Sequence, residues 1–486
     1  MTSLIWLPLG LPALFAAGAL AGRRHRWTRY TPVGASLVIL VVGITLVGLA
    51  VSTPVLTAGG GVLRVDALSA YMLAVVGAVA LTATWSGLPA NDTTTAAESS
   101  YSALLCLFLA AMTLALMADN LGVMWVAIEA TTITTAFLVG HHGGKRALEA
   151  AWKYVILGSV GVSIAFLGIV LIYAATTAAG TPTLSWALIT EASAPLDHDL
   201  TRVGVALAAL GFATKAGLAP MHSWLPDAHS QAPAAVSALM SGVLLSVAFY
   251  AILRIQVISD AVLGPGLMRG LLLVGGLLSL LVAATLIITQ RDYKRMLAYS
   301  SIEHMGLLAL GAAIGGPLAI GAVLLHILGH GLAKATAFIV AGRILASEGT
   351  SRIADTHSLL ARQPRLAIPF LAGMAALLGF PPFGLFFTEV AILVAGWQRG
   401  LGWVMAPTLA LLLLIFAGLA RHTLAMTLTG HKETPAAPTV SAAHGSSTGP
   451  MIPLGLAIFI VAIIGFLAVP LKDVITAAAA VVGGAR

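Results

Sequence analysis

Residues 212–245 read FATKAGLAPMHSWLPDAHSQAPAAVSALMSGVLL. An apolar run at 203–219 carries Lys215 near its end, Pro220 and Pro226 then interrupt it, and a second apolar run starts at 233. Proline removes a backbone donor and frees a carbonyl, which hydrocarbon tolerates only where protein or a wet cavity supplies the missing partner. The stretch therefore predicts a broken membrane helix with a cation beside the break.

The whole chain fits that reading. Of its 486 residues 59% are hydrophobic and 9% charged, with a mean hydropathy of +0.99, whereas soluble domains carry about 25% charged residues. The excess of 25 Lys and Arg over 18 Asp and Glu, a net +7, is spread among apolar segments. It reports membrane topology and is no nucleic-acid footprint. The single Cys106 excludes an internal disulfide framework, a thiolate zinc cluster and a thiolate-bound iron–sulfur centre.

Fourteen apolar stretches follow, at 3–22, 31–51, 67–87, 101–118, 121–140, 150–176, 203–219, 233–254, 265–289, 301–315, 317–342, 365–396, 403–425 and 450–471. A span needs roughly 20 residues, so 301–315 is short, and 365–396, with Pro381 and Pro382 at its middle, predicts a second broken helix. No Lys or Arg precedes the run at 5–21 and Arg23, Arg24, Arg26 and Arg29 follow it, so it reads as a retained first span. With simple alternation, fifteen Lys and Arg gather on one side against seven on the other. The richer side is cytoplasmic, which places both termini outside a prokaryotic plasma membrane. Lys153 snorkels from a helix start, while Lys215 and Lys334 lie deeper.

Spans four to eight (101–254) and nine to thirteen (265–425) hold equal, odd numbers of helices, so the two units have opposite membrane orientation. The fold class is thus an all-α polytopic membrane protein. A three-helix segment (1–100) precedes the repeats, and a linker with a C-terminal helix (426–486) follows them, the stretch 428–449 being a loose connector.

Charges inside such a bundle are costly and point to function. Glu129 stands mid-span beside Thr131, Thr132, Thr134 and Thr135, and Glu389 lies seven residues beyond Pro382. His326, His330 and Lys334 recur at spacings of four on one helix face. With Lys215 they make a row of alternating character across both halves, which suits proton transfer through intervening water. The competing reading is structural ion pairs between helices. His222, Asp227 and His229 fit a gate or packed loop better than a metal site, since no third ligand is evident. Glu303 and His304 read equally as an interfacial pair or a proton entrance, and Asp66 and Arg64 as boundary residues.

The strings at 212–245, QRDYKRMLAYSSIEHMG at 290–306, HILGHGLAKATAFIVAG at 326–342 and GFPPFGLFFTEVAIL at 379–393 resemble the antiporter-like proton-translocating subunits of complex I, sodium/proton antiporters and membrane-bound nickel–iron hydrogenases. DAHSQAP and YSSIEHMG look most like the hydrogenase-4 component F branch. The resemblance extends over about 60–425 and implies fourteen helices with inverted five-helix repeats. It also implies a path through Glu129, Lys215, His326, His330, Lys334 and Glu389. Where many relatives have a second lysine this chain has Ser246, so that link needs water or passes to His222 or His229.

The function implied is that of a non-redox subunit without cofactors of its own. Its partners are other membrane subunits and a peripheral redox arm holding nickel–iron and iron–sulfur centres, within lipid. It moves protons, with sodium the alternative ion. A sodium/proton antiporter subunit and a structural anchor whose channel has decayed are the rival readings.

Overall fold

Inside hydrocarbon every backbone N–H and C=O needs a partner within the protein, and a helix supplies it locally. The computed structural model describes residues 2–50, 55–88, 94–141, 143–191, 196–429, 449–467 and 471–483. Its helices are α1 (Thr2–Ala21), α2 (Thr31–Ala50), α3 (Ala67–Ser86), α4 (Ala96–Met117), α5 (Leu121–Val139), α6 (Lys145–Ala178), α7 (Trp186–Glu191), α8 (His198–Ala216), α9 (Leu225–Gln231) and α10 (Ala234–Leu239). A π-helical turn at Met240–Leu244 joins α10 to α11 (Leu245–Leu263). There follow α12 (Gly266–Ile288), α13 (Tyr293–Ile314), α14 (Gly316–Glu348), α15 (Leu359–Arg362), α16 (Pro364–Leu377), α17 (Gly384–Gln398), α18 (Gly402–Thr427), α19 (Ile452–Leu467) and α20 (Lys472–Val481). A hairpin of β1 (Val55–Ala58) and β2 (Leu63–Asp66), paired Val55 to Asp66, sits before α3 and has no counterpart in the sequence reading.

Over the described residues, each expected apolar stretch falls mainly on helix. Among the described residues, eleven helices are long and apolar enough to cross a membrane, and three apolar helices are shorter. The chain is an all-α polytopic membrane protein. Helices α11, α13 and α14 form its buried middle, and α14 packs against α3, α10, α13, α16, α17 and α19. The connector expected at 428–449 falls mostly outside the described residues, as do Lys432 and Arg486 of the topology count.

Both predicted breaks are present. α8 ends at Gly217, in the left-handed region at φ 76°, before Pro220. α16 and α17 are separated by Gly379, at φ 65°, and Pro381–Pro382. Protein groups satisfy the backbone at the first break: the Trp224 indole donates to the Thr214 carbonyl at 2.9 Å, and the Ala219 N–H donates to Ser279 Oγ at 2.9 Å.

Three expectations need correction, and one short helix is added to the sequence reading. The run at 301–315 is no short helix: Asp292 caps α13, its carboxylate accepting the Arg295 N–H at 2.9 Å, so the helix starts at Tyr293 and runs 22 residues. Lys294, counted as a cytoplasmic surface charge, is buried and donates to the Ala232 carbonyl at 3.0 Å. The last span is followed by α20, whose buried Val474, Ile475, Ala478 and Ala479 pack it back against α3 and α14. Asp66 is no ordinary boundary residue: it is buried with Arg254, counted as a surface charge on the other side.

Arg254 Nη2 donates to Asp66 Oδ1 at 2.8 Å and to Ser69 Oγ at 3.0 Å, and its guanidinium lies 4.1 Å from the Trp186 ring. Asp66 also caps α3 through the Ser69 N–H at 2.9 Å. The pair ties α3, α7 and α11 together. Breaking such a buried pair from one side costs about 3–5 kcal/mol, whereas replacing both members with apolar groups is often neutral. Arg254→Ala or Asp66→Ala should therefore lower the thermal unfolding midpoint in detergent, and the double change Arg254→Met with Asp66→Leu should recover most of the loss. An Arg254→Ala protein as stable as its parent would contradict this.

Candidate functional site

The first half of the site depends on close packing of α6 against α8. A Cβ on Gly211 would meet the Gly161 carbonyl oxygen at 2.5 Å, so the two backbones approach as only small residues allow. That approach lays Tyr154 of α6 over Lys215 of α8. Lys215 is fully buried, its ammonium 4.4 Å from the Tyr154 ring centroid, and it donates to the Tyr154 hydroxyl. The sequence reading gave this ammonium to freed carbonyls at the break. The break has other donors for its carbonyls, and Tyr154 takes the lysine.

Tyr154 is hydrogen-bonded in turn to Thr135 Oγ1 at 2.6 Å, and Thr135 donates to the Thr131 carbonyl. Also on α5, half-buried Glu129 accepts from Ser159 Oγ at 2.6 Å and Thr132 Oγ1 at 3.2 Å. Hydroxyls at 132 and 135 thus step from the carboxylate toward the phenol. Thr134 turns to the backbone, donating to the Ala130 carbonyl at 2.9 Å.

In the second half, Lys334 is fully buried and donates to the Leu297 carbonyl at 2.8 Å and to Ser300 Oγ. One turn away along α14, His330 stacks toward His304 with ring centroids 4.8 Å apart. His304 Nδ1 lies 3.0 Å from His326 Nε2, and His326 Nδ1 lies 2.8 Å from Thr388 Oγ1. Thr388 Oγ1 donates its single proton to the Leu385 carbonyl at 2.9 Å, so His326 Nδ1 is the donor to Thr388 and its Nε2 accepts from His304. Half-buried Glu389 comes next, its carboxylate over Gly379 at the break, where a Cβ would meet Oε2 at 2.7 Å.

Glu303 and His304 are placed differently from the sequence reading. Because α13 starts at Tyr293 they stand mid-helix, 5% and 0% exposed. Asp227 is the opposite case. It is partly exposed and clamped between Lys153 at 3.1 Å and Arg295 at 3.1 Å, which joins α6, α9 and α13. Lys153 does not simply reach for solvent, since it also meets Glu149 at 2.6 Å.

Between the two halves lie aromatic rings and a histidine. Trp224 sits 5.0 Å from Tyr154 and 5.9 Å from His229, and His229 sits 5.9 Å from Phe338, one turn beyond Lys334. His229 is fully buried, and among the described residues neither of its nitrogens has a hydrogen-bond partner. His222 is half-buried at the break with Nδ1 unpartnered. Ser246 is fully buried with an unpartnered hydroxyl.

Among the described residues none of Glu129, Lys215, Glu303, Lys334 and Glu389 forms an ion pair within 4.0 Å, and Arg254–Asp66 is the one pair buried on both sides. Glu129, Lys215 and Lys334 are held by hydroxyls and one carbonyl, and Glu303 Oε2 is buried without a hydrogen-bond partner among the described residues. Tyr154, Ser159, Ser300 and Thr388 were missed in the sequence because a lone hydroxyl in an apolar run carries no periodic signal. Thr388, adjacent to Glu389, Ser300, within YSSIEH, and Tyr154, adjacent to Lys153, stood near residues already singled out.

The fold and the site define a polytopic membrane protein with two broken helices and, among the described residues, a row of interior charges outside ion pairs. The chain belongs to the family described as NADH:quinone oxidoreductase/Mrp antiporter, transmembrane, whose model matches residues 118–414. It is 41% identical over 307 residues to a hydrogenase-4 component F homolog of Methylacidiphilum infernorum, covering 62% of this chain and 63% of that one. It thus spans less than two thirds of that relative's length. It is 30% identical over 426 residues to NADH-quinone oxidoreductase subunit N of Deinococcus radiodurans, covering 85% and 82%. A chain of the archaeal membrane-bound sulfane sulfur reductase superposes with a TM-score of 0.86 at 24% identity, covering 98% and 97%, which establishes the shared fold.

Tyr154→Phe keeps the ring packing and deletes the side-chain acceptor of Lys215. A hydrogen bond to a charged group is worth about 1.5–3 kcal/mol, equivalent to roughly tenfold to a hundredfold in rate. The variant should assemble normally and move protons slower by about that factor in reconstituted membranes. Parental proton movement would show that Tyr154 serves packing alone.

Proposed function

We propose that this chain is a non-redox proton-translocating membrane subunit of a nickel–iron hydrogenase or a related complex I-like oxidoreductase. The observation that carries the reading is the row of interior charges outside ion pairs among the described residues, with hydroxyls and imidazoles standing between them. Structural ion pairs would show carboxylates against lysines. Here each lysine instead donates to a hydroxyl, a group able to accept and pass a proton.

In this reading the chain crosses the membrane fourteen times with both termini outside. A three-helix segment at 1–100 and a linker with a last helix at 426–486 flank inverted five-helix units at 101–254 and 265–425. The matching placement of the breaks after Ala216 and after Leu377 supports the repeat. Removing buried Lys294 and Arg254 from the charge count leaves the side assignment unchanged.

Protons pass from Glu129 by Thr132, Thr135 and Tyr154 to Lys215. They continue past His229 to Lys334, then along His330, His304 and His326 to Glu389. His229 takes the place that a lysine at 246 would fill, with water completing the gaps. Charge arriving near Glu129 from a redox partner shifts Lys215 away from Tyr154 and starts transfer, because moving one proton alters its neighbours' affinity for theirs. The free energy and the nickel–iron and iron–sulfur centres belong to partner subunits. The likeness to the hydrogenase-4 homolog supports that partner class. Sodium is the less favoured ion, since a metal cation crossing the whole route would have to pass Lys215 and Lys334, which repel it.

The test is proton movement per electron-transfer turnover in proteoliposomes holding the whole complex, with Lys215→Ala beside the parent. Loss of proton movement in an intact complex is expected. An unchanged proton yield would overturn the reading in favour of a membrane anchor, and sodium-dependent transport without redox turnover would favour an antiporter.

A further inference from the structure

The side chains of His304, His326 and Glu389 come from three different helices, α13, α14 and α17, and meet at one point. One ligand atom from each lies within 4.8 Å of the other two. His304 Nδ1 and His326 Nε2 face each other at 3.0 Å, sharing a single proton. His326 is oriented by Thr388, to which its other nitrogen donates at 2.8 Å. This is the supporting arrangement found behind metal-bound imidazoles, where a second hydrogen bond fixes the tautomer and aims the lone pair.

We propose that His304, His326 and Glu389 form a binding site for a divalent transition cation of the zinc class. Two imidazoles and one carboxylate are a ligand set that zinc takes while keeping a fourth position open for water. With zinc–nitrogen and zinc–oxygen bonds of about 2.0–2.2 Å, tetrahedral ligands stand about 3.4 Å apart. The histidine pair already lies near that separation, and the Glu389 carboxylate needs a shift of about an ångström, which its flexible stem provides. The metal replaces the proton shared by the rings: His304 Nδ1 gives up its hydrogen, and the Nε2 tautomer forms at an atom that has no hydrogen-bond partner among the described residues. Glu389 is half-buried whereas both histidines are fully buried, so the carboxylate side is the entrance.

Occupancy fixes three groups that the proposed proton path uses, so zinc should also block transport. That consequence rests on the proposed function, whereas binding does not. The experiment is equilibrium dialysis of the full chain, prepared without a histidine tag, against zinc chloride, followed by proton movement of the whole complex with and without zinc. One zinc per chain is expected, with affinity lowered at least tenfold by His304→Gln, His326→Gln or Glu389→Gln and unchanged by His198→Gln, an exposed histidine elsewhere. Thr388→Val should weaken binding by about tenfold to a hundredfold, the usual effect of removing a supporting partner. X-ray absorption of the zinc-loaded parent needs no variant and should show two imidazole nitrogens at about 2.0–2.1 Å. Absence of binding, indifference to all three ligand substitutions, or a spectrum without imidazole overturns the site. Binding without inhibition upholds the site and counts against the proton path.

Discussion

Desolvation is the constraint on which the rest of this structure depends. An ion taken from water into the interior loses several kcal/mol of hydration, which direct pairing repays only with good geometry. The chain meets this cost in two ways. Arg254 and Asp66 pair directly at 2.8 Å between α11 and the start of α3, while Arg254 Nε and Nη1 stay buried without a hydrogen-bond partner among the described residues. Lys215 and Lys334 are solvated by single hydroxyls and a carbonyl. The first solution locks two helices together, and the second gives Lys215 a hydroxyl and Lys334 a hydroxyl and a carbonyl, with no carboxylate paired to either among the described residues.

That second arrangement depends on backbone contact. At Gly161 and Gly211 two helices approach so closely that only small residues fit, and the same device operates at the π-helical turn, where a Cβ on Gly242 would meet the Gly331 carbonyl oxygen at 2.9 Å. Gly331 follows His330 and stands one turn before Lys334, so the close approach seats the histidine–lysine face of α14 against the centre of the bundle. Small residues thus decide where the large polar ones meet. The breaks in α8 and between α16 and α17 add the remaining freedom, each bringing irregular backbone near Lys215 or Glu389.

Much of this was legible in the sequence. Apolar runs marked helices, the paired prolines marked breaks, and the spacing of four from His326 to Lys334 put three groups on one face. What was hidden shares a cause: contacts between distant segments leave no local pattern. Nothing near Lys215 announces Tyr154, 61 residues earlier. Asp66 and Arg254, 188 residues apart, each sit where an apolar run meets polar sequence, so both looked like boundary residues. Glu303 looked peripheral because hydropathy starts late in α13, after charges that the fold nonetheless buries or caps.

The central claim is that the interior charges are kept for transport and cost the fold stability. Lys334→Met tests it most directly, with the thermal unfolding midpoint and proton yield per turnover measured on the same reconstituted complex. Methionine fills similar volume without charge, so the account predicts a midpoint equal to or above the parent's and proton movement abolished. A lowered midpoint with proton yield intact would contradict it, making Lys334 a structural element of the bundle.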